Sequence, residues 1–260
     1  MSTNSIFDLS GKVALITGST KGIGLAIAQE LARHGASVVI SSRKAQACEL
    51  VAAKINTELS EKDGRAVSIP ANISNKQEIK QLVDETVDKL GSIDVLVCNA
   101  AVNPAYGPMS DLPDSAFQKI LNVNIMSNHW LAQLVLPEMR RKKDGSIIIV
   151  SSVGGLRGHD KLGAYCISKA ADLQLVRNLA LENGCDNVRV NAISPGLIRT
   201  DFARALWEDP ETLAERTEND PLRRIGEPHE LAGIAVYLAS QAGSFATGQN
   251  FVIDGGSTIV

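Results

Sequence analysis

No stretch of this 260-residue chain is apolar for the roughly 18–20 residues that a membrane span requires. The N-terminal "MSTNSIFDLSGK" lacks a basic region and an apolar core of the secretory kind, and Ile259-Val260 is not a peroxisomal address. Excess positive charge is missing too: the formal net charge of −3 argues against nucleic acid as a partner. The densest basic run, Arg140-Arg141-Lys142-Lys143, is followed at once by Asp144-Gly145, so it reads as a solvated helix end whose cations complement the dipole. The four cysteines, Cys48, Cys98, Cys166 and Cys185, form no C-x-x-C pair and have no histidine spacing suited to a metal. Free thiols, no metal site and a cytoplasmic location are the expectations. Apolar residues at 44% and charged residues at 21% are ordinary for a soluble globular protein.

Short β-branched runs alternate with longer helical patterns from end to end. Strands are expected at Val13–Thr17, Ser37–Ser41, Ala66–Ile69, Val95–Cys98, Ser146–Ser151, Val188–Ile193 and Asn250–Ile253. Helical stretches are expected near 23–34, 44–61, 75–90, 114–141, 163–184 and 227–240. The strands are apolar on both sides, as strands covered on both faces must be. Such alternation implies an α/β fold, a parallel sheet wound by right-handed crossovers. Without repeats or linker-like composition shifts, residues 1–260 read as one domain. Residues 196–221 break the rhythm: their periodicity is weak, and they carry Phe202, Leu206 and Trp207 among many charges. A long irregular insertion is usually functional, and a lid over a ligand cleft is the expectation.

"VALITGSTKGIGLAIAQELARHG" puts a strand, a glycine-rich turn and a helix in order. Gly18, Gly22 and Gly24 stand where the turn must tighten, where backbone must approach an anion, and where helix must pack on strand. The helix N-terminus then offers free N–H groups to a pyrophosphate. The spacing is G-x-x-x-G-x-G rather than G-x-G-x-x-G, but its context is the one a dinucleotide site needs. A site preferring NAD places an acid at the end of the second strand, about 20 residues on, for the ribose 2′-hydroxyl. Here that strand ends in Ser41-Ser42-Arg43-Lys44, with no acid before Glu49. A guanidinium there binds a 2′-phosphate through paired hydrogen bonds, and Lys21 adds positive charge at the turn. NADP(H) is expected in preference to NAD(H).

At this point the chain resembles the short-chain dehydrogenases/reductases. The resemblance rests on Thr17-Gly18-x-x-x-Gly22-Ile23-Gly24, Asn99-Ala100-Ala101, Asn124 in "LNVNIM", Ser152 in "IVSSVGG", Tyr165-x-x-x-Lys169 and Pro195-Gly196-x-x-x-Thr200, in family order. "CNAAVNP", "SPGLIRTDFARALW" and "RRIGEPHELAGI" are similar to the NADP-dependent carbonyl/retinal reductase branch. The resemblance implies a single-domain Rossmann-type, doubly wound sheet of seven parallel strands, a nicotinamide cofactor, a small-molecule carbonyl or alcohol substrate and a homotetramer. Carried over position by position, it puts cofactor contacts on Gly18, Thr20, Lys21, Gly22, Ile23 and Gly24, on Ser42 and Arg43, and on Asn72 and Ile73. It extends them to Asn99 and Ala100, to Pro195, Gly196, Ile198 and Thr200, and to Tyr165 and Lys169. Two departures stand out. Cys98 precedes Asn99 where the family often has Asn, and Asn72 replaces a common Asp, though its amide can still bond an adenine edge.

Carbonyl reduction needs a hydride donor and a proton for the oxygen. A phenol is a poor acid–base group unaided, with an ordinary pKa near 10, and a nearby cation lowers it. Lys169, one helical turn beyond Tyr165, lies on the same face and can supply that field. Ser152 is expected to donate to the substrate oxygen where charge develops. The resemblance implies that Lys169 also bonds the nicotinamide ribose and that Asn124 holds a water for proton relay. The pocket walls are expected from 102–106, 153–159 and the lid, including Phe202, with Tyr106, Leu156, Leu197 and Trp207 joining Ser152 and Tyr165 at the substrate. His159 is not expected to touch it.

Two other functions stand beside an NADP(H)-dependent carbonyl reductase. A 3-oxoacyl-(acyl carrier protein) reductase needs a basic docking surface, and Asp186 stands where its relatives carry Arg, with Lys143 at the other docking position. A non-catalytic nicotinamide-binding regulator has no need of Asn124, Ser152, Tyr165 and Lys169 together.

Overall fold

The computed structural model describes residues 5–60 and 64–260. The far end of the 44–61 helical reading and the first four residues lie outside them. Runs rich in Val and Ile become seven strands: β1 (Val13–Thr17), β2 (Ser37–Ser41), β3 (Ala66–Ser68), β4 (Val95–Cys98), β5 (Gly145–Val150), β6 (Val188–Pro195) and β7 (Asn250–Ile253). Every pairing is parallel and the order is β3-β2-β1-β4-β5-β6-β7, the doubly wound sheet expected.

Helices cover both faces: α1 (Gly22–Arg33), α2 (Ala45–Glu58), α3 (Lys76–Leu90), α4 (Asp114–Leu121), α5 (Ser127–Lys142), α6 (Gly163–Asn183), α7 (Pro210–Thr217) and α8 (Ala232–Ala239). Side chains alternate across a strand, so the sheet feeds two cores. Ile16 of β1 packs with Ile27 and Leu31 of α1, Ile55 of α2 and Leu238 of α8. Its neighbour Leu15 packs on the other face with Leu82 of α3, Leu131 and Met139 of α5, and Val176 of α6.

β1 pairs with β2 on one side and β4 on the other. The winding reverses there, which opens a crevice beyond the carboxyl ends of β1 and β4 where open α/β sheets bind ligands.

Three helical expectations need correction. The single helix expected over 114–141 is interrupted by a π-helical turn at Asn122–Met126. The side chain of Asn124 is pulled out to bond the backbone of Val102, and one extra residue in the ladder accommodates it. The helix expected at 227–240 begins as a 3₁₀ turn, Pro228–Leu231, with Pro228 in the first turn, where no N–H is required, and Glu227 and Glu230 closing a capping box around it. The segment 196–221 is more regular than its periodicity implies. Thr200 caps a 3₁₀ helix at Asp201–Leu206, and Asp209 caps α7 by accepting the Thr212 N–H at 2.8 Å.

Candidate active site

The glycine turn takes its shape from three distant segments. Gly18 and Gly22 have φ of 66° and 59°, the left-handed region that side chains avoid. A Cβ on Gly24 would stand 2.4 Å from Nδ2 of Asn99, and one on Gly22 would stand 3.2 Å from Cγ2 of Thr200. The turn, the segment after β4 and the segment after β6 therefore meet in the crevice. The Thr17 hydroxyl accepts the N–H groups of Asn99 and Ala100, both at 3.1 Å. Asn99 Nδ2 donates back to the carbonyls of Thr17 (2.9 Å) and Gly18 (3.2 Å). Ser19 ties the turn to β2: its hydroxyl donates to Ile16 O at 2.8 Å and accepts the Ser41 N–H at 2.9 Å. Ser19 was not among the expected site residues. Its one sequence signal is a small hydroxyl residue right after the first glycine.

These residues fit a nicotinamide dinucleotide. Lys21 begins α1 with no side-chain cap, so the first-turn N–H groups and the positive dipole end stay open to a pyrophosphate. Gly22 and Ile23 are partly exposed there, as is Thr20 just before. At the end of β2 the Ser41 hydroxyl is buried without a partner, and Arg43 is exposed with no protein ion pair among the described residues. The neighbouring Ser42 hydroxyl contacts the Cys48 thiol at 3.3 Å. Lys21 differs from expectation: its ammonium donates to Asp201 Oδ2 at 2.9 Å, so the lid already matches that charge. The Asn72 carbonyl oxygen Oδ1 accepts from the N–H (3.2 Å) and hydroxyl (2.9 Å) of Ser74, which leaves the amide NH₂ to face a base, with Ile73 buried beside it. Past β6, the Gly196 N–H donates to Ile253 O at 3.0 Å, Ile198 bridges to Gly226, and the Thr200 hydroxyl caps the lid's first turn.

Tyr165 and Lys169 project from α6 toward the end of β5. The Lys169 ammonium lies 5.8 Å from the centroid of the Tyr165 ring and is buried. It donates to Val150 O at 2.9 Å and to Asp172 Oδ2 at 3.1 Å. Ser152, just past β5, accepts the Gly154 N–H at 3.0 Å and lies near enough to the phenol to favour its ionised form. Burial pushes the phenol above its ordinary value, the Lys169 charge and Ser152 pull it down, and Asp172 and Cys166 push back. Burial works against the Lys169 cation, but the charge of Asp172, then Tyr165 and the Asp172 hydrogen bond, raise it above an ordinary lysine.

Asn124 sits inside the π turn and is fully buried. Its Oδ1 accepts the Val102 N–H at 2.9 Å, and its Nδ2 donates to Val102 O (3.1 Å) and Ser168 Oγ (3.0 Å). Both amide hydrogens are thereby committed, so the side chain fixes the 102 backbone, and a relay water would have to bond its oxygens. Asn128 and Asp172, absent from the expected set, complete the site: Asn128 Nδ2 donates to Asn124 O (2.7 Å) and Asp172 Oδ1 (2.9 Å).

Of the expected substrate walls, the structure brings Phe202 rather than Trp207 into ring contact with Tyr165, at 5.9 Å. The Trp207 indole is occupied elsewhere. Its N–H donates to Thr200 O at 2.9 Å, and Arg199 stacks 5.2 Å from its ring. Tyr106 and Leu156 are exposed, with Lys161 5.9 Å from the Tyr106 ring. Leu197 joins Leu222 and Arg224 around a cavity beside Gly255. The His159 ring bonds its own loop, accepting the Lys161 N–H at 3.1 Å.

Comparison with known proteins bears on the family and the fold. The family model described as "Enoyl-(Acyl carrier protein) reductase" matches residues 18–258. "Dehydrogenase/reductase SDR family member 4" from Bos taurus is 43% identical over 250 residues, 96% of this chain and 88% of that protein. Among solved structures, a 7α-hydroxysteroid dehydrogenase complexed with NADH and 7-oxo glycochenodeoxycholic acid superposes with a TM-score of 0.91 at 36% identity, covering 98% of each chain. A gluconate 5-dehydrogenase from Burkholderia cenocepacia, in complex with NADP and tartrate, gives 0.92 at 30% identity, again over 98% of each.

Proposed function

The chain belongs to the short-chain dehydrogenase/reductase family of oxidoreductases, and from that premise we propose that it is an NADP(H)-dependent carbonyl reductase working through Asn124, Ser152, Tyr165 and Lys169. The observation that carries the proposal is the Lys169 ammonium 5.8 Å from the Tyr165 ring, in a buried site next to Ser152. A bound nicotinamide supplies the hydride to the carbonyl carbon or takes it from the alcohol. Ser152 holds the carbonyl oxygen through its hydroxyl, where negative charge develops. Tyr165 gives its proton to that oxygen in reduction and withdraws it in oxidation. Lys169 stabilises the phenolate left behind, at a range where opposite charges shift a phenol strongly. Asn124 holds the Val102 backbone at the pocket wall.

Arg43 supports NADP(H) over NAD(H), because it is exposed, free of a carboxylate partner among the described residues and placed at the end of β2. The exposed rings and branched chains of Phe202, Tyr106 and Leu156 favour an apolar ketone or aldehyde. The remaining proposals are a cytoplasmic location and a homotetramer, the latter supported by Leu181 and Phe245, whose side chains stand in solvent. Among the described residues no helix is long and apolar enough to cross a membrane, and no cluster of His, Cys, Asp and Glu could hold a metal. The test follows NADPH absorbance with ketones, quinones, α-dicarbonyls and acetoacetyl thioesters. Turnover of free carbonyls that disappears in Tyr165→Phe supports the proposal. Turnover of the thioesters alone favours the acyl carrier protein reductase, and full turnover by Tyr165→Phe removes the acid–base assignment.

A further inference from the structure

Asp172, in "SKAADLQL", is a helix carboxylate that is fully buried. We propose that Asp172 is a positioning residue for the acid–base pair: clamped by Asn128, its carboxylate fixes the Lys169 ammonium and cancels part of that cation's field at the Tyr165 phenol. The proposal rests on reading Tyr165 as the acid–base group.

A lysine has three N–H donors. One of Lys169's goes to Val150 O at 2.9 Å and one to Asp172 Oδ2 at 3.1 Å, which leaves one for the active-site side. The carboxylate does not swing with it. Its Oδ1 accepts Asn128 Nδ2 at 2.9 Å, and that amide's second bond runs to the Asn124 carbonyl at 2.7 Å, inside the π turn. The chain Asn124–Asn128–Asp172–Lys169 is buried throughout, so nothing in it is screened by water. An unpaired buried ammonium tends to shed its proton, and Asp172 keeps Lys169 charged. The same negative charge opposes phenolate formation, so Tyr165 holds its proton to higher pH, the form that a proton donor in carbonyl reduction requires.

Among the described residues, the titratable groups facing the pair are Tyr165 on α6 and Cys98 at the end of β4, while Cys166 faces the phenol. Burial raises both thiols above an ordinary cysteine, which works against a thiolate charge beside the pair. Asn128 from α5 and Val150 O from β5 add only dipoles.

The test needs no substrate. The chain has three tyrosines, so subtracting the ultraviolet titration of Tyr165→Phe from that of the unsubstituted protein isolates the Tyr165 tyrosinate. The Asp172→Asn protein, corrected by its own Tyr165→Phe partner, is expected to ionise about one pH unit lower, roughly tenfold more phenolate at a given pH below the midpoint. The acid limb of alcohol oxidation is expected to move down with it. An unmoved midpoint, or one that rises because Lys169 sheds its proton, overturns the proposal. Should circular dichroism show Asp172→Asn unfolded, the pair Asp172→Leu with Asn128→Leu replaces the clamp by apolar groups, and the same downward shift is required of it. If the midpoint moves but Tyr165→Phe keeps full turnover, the acid–base reading fails and takes the catalytic part of this proposal with it.

Discussion

The Phe202 ring stands 5.9 Å from the Tyr165 ring, tilted by 43°, so segment 196–221 reaches the proposed acid–base group through one aromatic contact. Phe202 is otherwise exposed, and its ring is held over the site by the 3₁₀ turn that Thr200 caps. Such an aromatic pair is worth about 0.5–1.5 kcal/mol beyond area burial. Phe202→Ala is expected to raise KM for apolar carbonyls by about threefold to tenfold, with a smaller fall in kcat, since Ser152 and Lys169 are untouched. Steady-state kinetics checks this. A loss confined to kcat would mean that the ring serves Tyr165 and does not wall the substrate.

The proposed preference for NADP(H) rests on Arg43. It stands exposed where β2 ends, without a carboxylate on it, and a charge-assisted hydrogen bond contributes about 1.5–3 kcal/mol. Arg43→Ala is therefore expected to lower the ratio of kcat/KM for NADPH to that for NADH by about tenfold to a hundredfold. The NADH value itself should barely change. Parallel assays with the two cofactors give the ratio, and an unchanged ratio would sink the NADP(H) argument.

How much of this was legible in the sequence follows from what each feature depends on. β1, β4 and β5 are buried along their whole length, so continuous Val/Ile runs mark them without ambiguity. The glycine turn and the Tyr165/Lys169 pair are local patterns with fixed spacing. The π turn was invisible because apolar periodicity runs straight through "FQKILNVNIMSNHW", and the break comes from a bond between Asn124 and a residue 22 positions away. Asp172 was hidden for a similar reason: its burial is set by Lys169 and by Asn128 on another helix. A Lys and an Asp three apart on a helix of small residues was the available signal. Trp207 misled because an aromatic in a lid suggests a substrate wall, whereas Arg199 and Thr200 occupy it.

Asp94 is expected to contribute to acid stability. Burial opposes its ionisation, but the hydrogen bond from Lys142, then the Val13 N–H, the Lys142 charge and the Ser92 hydroxyl outweigh it and hold the carboxyl below its ordinary range. A depressed folded-state pKa means stability that is full above the unfolded value near 3.9 and is lost as pH falls through the folded one. Asp94→Asn is expected to cost about 1–3 kcal/mol at neutral pH. The cost should shrink below about pH 4 as the wild-type carboxylate takes up its proton. Urea unfolding at several pH values measures this. A constant difference across that range would mean that the carboxylate's charge contributes nothing.

Gly24 tests whether the crevice is built to leave room for a ligand or merely for its own backbone. An added Cβ there meets two fixed obstacles: Asn99 Nδ2 at 2.4 Å and Gly18 O at 2.6 Å. Neither is the end of a flexible chain, because Asn99 is fixed by its bonds to Thr17 O and Gly18 O. A methyl group there must push α1 off the turn or break both bonds, and forced overpacking of this kind costs about 1–3 kcal/mol. The two routes differ in what they spoil. Broken Asn99 bonds loosen the segment after β4 and lower thermal stability, while a displaced α1 carries its open N–H groups away from the phosphate position. Gly24→Ala is expected to do mainly the second: NADPH affinity, read by fluorescence titration, falls by tenfold or more, while far-ultraviolet circular dichroism stays native. Gly91→Ala, at a surface turn where an added Cβ meets nothing within 4 Å, is the control for backbone effects alone, and its NADPH affinity should be unchanged. Equal losses in both variants would show that the weakened binding follows from general destabilisation and not from the turn's fit to a dinucleotide.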